Sequence, residues 1–252
     1  MTLAPWEAGF SQPDTTDVRW LARLTTDAPR VPWDKFRQRE FHWKRGEHVA
    51  LLGPTGQGKT FLMRALLPIH PYVAVMATKP RDDTMMELIT RNGYAKLEAW
   101  GSYPVKDMPR RVVWPDATSI DAVKEQREVF HDAFGRIFRE GGWTIAIDEL
   151  WYITVVLKLE LDVRMILLQG RSLDISFLSA TQRPAFVPLE VYDQSTHLFF
   201  WRDNDDRNLT RLKEINARGG RILKSIVMNL EAHQVLYINT RTGKMLRTRV
   251  PG

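Results

Sequence analysis

The chain has 252 residues, 44% hydrophobic, 26% charged and 10% aromatic, with 15 Gly and 14 Pro; this composition supports one large α/β core and excludes disorder, collagen-like repeats and low complexity. The absence of cysteine excludes disulfides, thiolate zinc sites, iron–sulfur clusters and cysteine nucleophiles. The net charge is +6, and residues 202–252 carry all of it, with eleven Lys or Arg against five Asp or Glu, which points to a polyanionic partner, nucleic acid before anionic lipid.

Residues 1–40 form an appended segment in this reading, punctuated by Pro5, Pro13, Pro29 and Pro32, with room for a short helix over Asp17–Leu24. Trp6, Phe10 and Trp20 call for burial, against the body of the protein or a neighbouring subunit. The start, MTLAPWEAGFSQPD, has no basic-then-apolar run, and no window approaches the roughly 18 apolar residues needed to span a bilayer. The expectation is a soluble protein without a membrane span, in the cytoplasm, or in a host cytoplasm or virion if viral.

Residues 41–252 alternate strand and helix. His48–Leu52 is an apolar strand ending at Gly53, and a helix is expected over Lys59–Leu67, stopped by Pro68. Tyr72–Ala77 is a second buried strand and Val112–Trp114 a weak third. Asp121–Arg139 is predicted helical, because Val129, Phe130, Ala133, Phe134, Ile137 and Phe138 recur at helical spacing. Thr144–Ile147, a helix over Val156–Gln169, Ile175–Ala180, His197–Trp201 and a helix over Asp205–Ile215 follow. Gln234–Asn239 and Met245–Arg249 make a hairpin around Thr242 and Gly243. The fold class is therefore α/β, a three-layer sandwich with a mainly parallel central sheet and a C-terminal β-hairpin.

Gly53, Pro54, Thr55, Gly56, Gln57, Gly58, Lys59 and Thr60 fit the pattern G-x-x-x-x-G-K-[ST] in full. Its glycines let backbone amides turn toward phosphates, and the helix N-terminus that follows favours negative charge. Lys59 reaches terminal phosphates and the Thr60 hydroxyl ligates Mg2+, so ATP and Mg2+ are the expected cofactors. The strand Thr144–Ile147 delivers Asp148 and Glu149 at its C-terminal end, where open α/β sheets bind ligands. Asp148 is placed to hold Mg2+, and Glu149 to polarise an attacking water; with Gly53–Thr60 on a neighbouring strand, the pair favours hydrolysis over phosphoryl transfer. Ile175–Ala180 is expected beside the Asp148 strand, which would set Thr181 and Gln182 next to the γ-phosphate. Gln182 either bonds that phosphate or its water, or caps the turn before Pro184. Lys79 and Arg81, after the second strand, would contact phosphate, contact a neighbour, or occupy a surface turn.

GPTGQGKT, TIAIDE and GRSLDISFLSATQRP together resemble the FtsK/HerA superfamily of DNA-pumping ATPases, most closely FtsK at Ala180–Pro184, and the resemblance extends from about Gly46 to Val250. It implies a RecA-like motor domain over 41–252 that assembles as a hexameric ring around double-stranded DNA with ATP between subunits. It also implies that Arg171 acts on the neighbouring subunit's nucleotide; the alternative is a helix-end arginine suited to the dipole. The membrane region and winged-helix module of FtsK and the β-barrel of HerA have no counterpart here. That implies a minimal motor similar to viral genome-packaging ATPases or small mobile-element translocases, docking on a viral portal or a membrane complex.

Arg218, Arg221, Lys224, Arg241, Lys244 and Arg247, within the basic stretch Arg207–Arg249, are the candidate DNA contacts, neutralising phosphates without reading bases; a solvated face with intersubunit ion pairs is the alternative. His42, His48, His70, His131, His197 and His233 show no metal-ligand spacing. Two further readings are an AAA+-like protein remodeller, disfavoured by a chain that ends in a hairpin instead of a helical lid, and a nucleotide-gated assembly factor with little hydrolysis, disfavoured by Glu149.

Overall fold

A computed structural model describes residues 28–101, 107–115, 117–215 and 217–251, with only the backbone around residues 213–219. The helix expected over Asp17–Leu24 and the side chains of Trp6, Phe10 and Trp20 lie outside the described residues.

The strands are β1 (His48–Leu52), β2 (Val73–Met76), β3 (Ala95–Leu97), β4 (Arg110–Val113), β5 (Thr144–Ile147), β6 (Ser176–Thr181), β7 (Ser195–Trp201), β8 (Gln234–Asn239) and β9 (Lys244–Arg249). They pair in the order β3-β4-β2-β5-β6-β1-β7-β8-β9. Pairing is parallel from β3 through β7 and antiparallel at β7–β8 and β8–β9. Every residue of β1, β2, β5, β6 and β7 is buried, so the sheet needs cover on both faces. The helices supplying it are α1 (Trp33–Lys35), α2 (Lys59–Leu66), α3 (Asp83–Arg91), α4 (Ala122–Glu140), α5 (Glu160–Gln169), α6 (Glu190–Asp193), α7 (Asp206–Ile215) and α8 (Ala217–Met228). Strand alternation sorts the core into two layers. Ala50, Leu52, Met76, Ile145, Ile147 and Phe200 pack with Phe130, Phe134, Ile166, Leu212 and Leu223 of α4, α5, α7 and α8. Val49, Leu51, Val75, Ala146 and Phe199 pack with Phe36 and with Leu62, Leu66 and Leu88 of α2 and α3. The result is the three-layer α/β sandwich, with the expected hairpin at its end.

Before the first core strand, Val31 N donates to Arg247 O and Arg247 N to Pro29 O, which lays Pro29–Val31 along β9. Ala28 and Phe36 are both 1% exposed.

The helix expected over Val156–Gln169 is shorter at its start. A π-helical turn over Tyr152–Val156 precedes it, and Lys158 takes φ 55°, a left-handed conformation that no helix interior accommodates. The corner buries Ile153, Leu157 and Leu159 completely or nearly so, and α5 restarts at Glu160. Among the described residues α3, β3, α8 and the short α1 and α6 have no counterpart in the periodicity. α3 nevertheless carries a recognisable start, since Asp82 caps it by accepting from the amides of Thr84 and Met85.

His48 on β1 is fully buried, donating from Nε2 to Leu167 O at 3.2 Å. Burial, aided by the charge of Arg171, pushes its pKa down to about 4; burial also lowers His70 and His197. A histidine depressed in the folded state protonates more readily unfolded, so stability is lost as pH falls from about 6.5 toward 4, by an amount of order 3 kcal/mol from His48. Melting temperature is expected to fall across that window, and His48→Gln to flatten the slope.

Candidate functional site

Parallel pairing carries the C-terminal ends of β5, β6, β1 and β7 to one edge of the sheet, and the site stands there. Gly53 to Thr60 link β1 to α2. Gly53 has φ 154°, and a Cβ there would lie 2.8 Å from Trp201 Cβ, so the loop needs glycine both for its backbone and for its contact with β7. Gly58, at φ 100°, caps α2 in the left-handed region.

Lys59 is 6% exposed, and Nζ donates to Pro54 O at 2.6 Å. Burial pushes its pKa down to about 8, while the negative charges of Asp148, Glu149 and Asp203 act in the opposite direction. Thr60 Oγ1 donates to Asp148 Oδ1 at 3.3 Å. Lys79 Nζ holds the other Asp148 oxygen at 3.2 Å and Asp82 Oδ2 at 3.3 Å. Desolvation of Lys79 is outweighed by those two carboxylates, and its pKa rises. Lys79 stands in an exposed bend after β2, with its ammonium beside Asp148.

Thr181 Oγ1 donates to Glu149 Oε1 at 3.1 Å, and Thr55 Oγ1 donates to Gln182 Oε1 at 2.5 Å. Burial raises the Glu149 pKa, against the bonds from Thr181 and the Gln182 backbone. Phosphate-loop, carboxylate pair and amide thus meet as the motifs predict, with one correction to the topology. The strand bearing Asp148 is not the neighbour of β1: β6 lies between them, paired with both. The interposition is what sets Thr181 and Gln182 between the loop and Glu149. The chemistry suits Mg2+ with a phosphate: one hydroxyl and one carboxylate oxygen converge beside a glycine-rich turn, the sparse protein donor set this ion takes when phosphates complete it. No group of three or more His, Cys, Asp or Glu able to hold a metal occurs among the described residues.

Arg171 is elsewhere. It sits on the turn Gly170–Leu173 before β6, at the N-terminal edge of the sheet, where its carbonyl approaches Gly46. The six-residue β6 separates it from Gln182 by about 20 Å. Three of the basic candidates are bonded internally. Arg241 Nη1 donates to Glu47 Oε1 at 2.7 Å, Lys244 pairs with Glu40, and Arg247 Nε donates to Ala28 O at 2.7 Å. Lys224 lies 3.5 Å from Asp206. Arg221 on α8 is exposed and has no partner among the described residues, and the Arg218 side chain lies outside them. His197 joins Glu47 and Tyr237 in a buried network at 3.1 and 2.9 Å.

Asp203, just after β7, escapes sequence reasoning. It is 7% exposed and accepts from Asp205 N at 2.9 Å and Asn208 Nδ2 at 2.8 Å. The one signal was an acid ending an apolar run, His197–Trp201 followed by Arg-Asp, which only the place of β7 beside β1 makes meaningful.

Fold and site together define a RecA-like P-loop fold, with Gly53–Thr60 between β1 and α2. No family model matches the chain, and no curated protein matches its sequence. Solved structures do match in fold. The genome-packaging NTPase B204 of Sulfolobus turreted icosahedral virus 2, in complex with AMPPCP, is similar at a TM-score of 0.56 and 14% identity over 82% of this chain and 99% of that one. VirB4 of Thermoanaerobacter pseudethanolicus is similar at 0.60 and 10% identity, over 81% and 89%. The cytoplasmic domain of the type VII secretion ATPase EccC from Thermomonospora curvata is similar at 0.54 and 15% identity, over 82% of this chain and 25% of that one.

Gly53→Ala is expected to destabilise the protein by about 2 kcal/mol or more, through overpacking against Trp201 and backbone strain. It should also abolish binding of a fluorescent ATP analogue, while thermal melting and analogue titration separate the two losses.

Proposed function

We propose that the chain is an ATP-hydrolysing motor that moves double-stranded DNA, a minimal packaging or DNA-transfer ATPase of a virus or mobile element, working as a ring of six copies. The observation that carries this reading is the convergence of Thr60 with Asp148, Thr181 with Glu149, and Thr55 with Gln182 on one sheet edge. The fold likeness to a viral packaging NTPase supports the choice of cargo.

In this reading Gly53–Thr60 cradles the phosphates of ATP and Lys59 lies against the terminal ones. Thr60 and Asp148 would hold Mg2+, which would supply positive charge beside the phosphate oxygens. Glu149 accepts the proton of the attacking water as that oxygen bonds to the γ-phosphorus and the bond to the β-phosphate oxygen breaks. Its partner Thr181 keeps one carboxylate oxygen oriented, and Gln182 bonds the γ-phosphate or the water. Arg171 is too far from its own site to act there, so its role falls on a neighbouring copy's nucleotide. Arg221, with Lys224 and Arg218 on the same helix, becomes the leading DNA contact. Arg241, Lys244 and Arg247 would have to exchange internal partners for phosphates. A viral portal or a membrane complex is the docking partner that a packaging or transfer role requires. No helix among the described residues is long and apolar enough to cross a membrane.

Steady-state ATP turnover, without nucleic acid, with single strands and with linear duplex, tests the reading. Duplex is expected to stimulate turnover and the stimulation to weaken as salt rises. Glu149→Gln should lower kcat by about a hundredfold or more while leaving nucleotide affinity in place. Turnover indifferent to duplex would remove DNA as the cargo, and full turnover in Glu149→Gln would remove Glu149 as the base.

A further inference from the structure

We infer that Lys79 is a second phosphate-contacting cation of the site, one that meets the γ-phosphate and so distinguishes a nucleoside triphosphate from a diphosphate. The inference rests on the reading of the site as an ATPase and adds a residue to it.

The sheet register sets the position. β2 and β5 run parallel with Met76 opposite Ile147, so the chain leaving β2 emerges at the edge where Asp148 and Glu149 stand. The backbone there is fixed from three sides. Gln126 Nε2 donates to Thr78 O at 3.2 Å, and Tyr152 Oη donates to Gln126 Oε1 at 2.8 Å. Trp114 Nε1 donates to Lys79 O at 2.8 Å. Asp82 closes the turn by capping α3, accepting from Thr84 N at 3.0 Å and Met85 N at 3.2 Å. Buried side chains, Gln126 and Trp114, thus hold the carbonyls of an exposed bend. A lysine on an ordinary solvated face keeps its rotamer freedom; here the backbone and the ammonium are both held.

Asp82 Oδ2 at 3.3 Å and Asp148 Oδ2 at 3.2 Å take two of the three N–H donors of the ammonium. The third has no partner among the described residues, and the side chain is 49% exposed, so a ligand can reach it. Asp148 turns its other oxygen, Oδ1, toward Thr60 at 3.3 Å. Lys79 and Thr60 therefore flank one carboxylate, and a cation held by Thr60 and Oδ1 leaves the bond from Lys79 to Oδ2 in place. The free N–H can meet a phosphate oxygen without the ammonium giving up either acid.

Lys59 and Lys79 approach the nucleotide from different sides. Lys59 is buried in the glycine-rich loop with Nζ on Pro54 O, whereas Lys79 arrives beside Asp148. The phosphate facing Asp148 and Glu149 is the one that water attacks, and it is the one ADP lacks. The charge of Lys79 also opposes that of Lys59, a repulsion that an anion bound at this edge relieves. A cation already fixed beside the γ-phosphate stabilises its charge during transfer without having to move. Lys79 keeps its proton throughout and makes or breaks no covalent bond.

Lys79→Met keeps the length of the side chain and removes its charge. Calorimetric titration with AMPPNP and with ADP, each with Mg2+, would compare the wild type, Lys79→Met and Lys79→Arg, with melting temperature followed in parallel. Lys79→Met is expected to weaken AMPPNP binding about tenfold or more and ADP binding by less than about twofold, with the melting temperature held. Lys79→Arg should recover most of the AMPPNP affinity, because it restores the charge and the donors. Equal weakening of both nucleotides would make Lys79 a structural partner of Asp148 and overturn the inference, as would unchanged affinity for both. Wild-type protein that binds neither nucleotide overturns the ATPase reading and the inference together.

Discussion

A buried ammonium needs carboxylates around it, and Lys59 obtains them because β5, β1 and β7 run parallel and end together. At 6% exposure, desolvation works against its charge, and Asp148, Glu149 and Asp203 work for it. The acids come from two distant parts of the chain: two from the end of β5 and one from the end of β7. Antiparallel pairing of either strand would carry its acid to the opposite edge. The sheet topology is therefore also the electrostatics of the site, and the close approach of Gly53 to Trp201 holds the loop against β7 where that balance operates.

The same topology divides labour between the two edges of the sheet. The C-terminal edge gathers the phosphate-binding loop, the carboxylates and Gln182. The N-terminal edge gathers Arg171, Arg241, Glu47, His48 and His197, with Glu47 buried and bonded on both oxygens. A strand's length separates the two, so Arg171 stands about 20 Å from Gln182 of its own chain.

Internal pairing also grades the basic hairpin. Lys244 is half exposed in its pair with Glu40, and a surface pair of this kind contributes little net stability, so its exchange for a phosphate costs little. Arg241 differs, because withdrawing it leaves the buried carboxylate of Glu47 with one fewer partner. A polyanion that engaged the hairpin would draw on Lys244 far more readily than on Arg241. Positive charge counted along the sequence thus overstates what this surface offers.

Local chemistry was legible in the sequence. Gly53–Thr60 requires only consecutive residues, α4 announces itself through Phe130, Phe134 and Ile137, and Asp148 and Glu149 follow an apolar run whose burial is evident from composition. The cap of α3 at Asp82 was present as well, although its short, half-polar helix has too weak a periodicity to stand out. What only the tertiary structure decided depends on strand order and on partners distant in sequence. It placed β6 between β1 and β5, made Asp203 a member of the site, brought Lys79 against Asp148, broke the expected helix at Lys158, and tied Arg241, Lys244 and Arg247 to Glu47, Glu40 and Ala28. The physical reason is common to all of these: periodicity and motif spacing are written along the chain, whereas the energy of a buried charge or a close backbone approach depends on what lies across the sheet, and no local pattern encodes that neighbour.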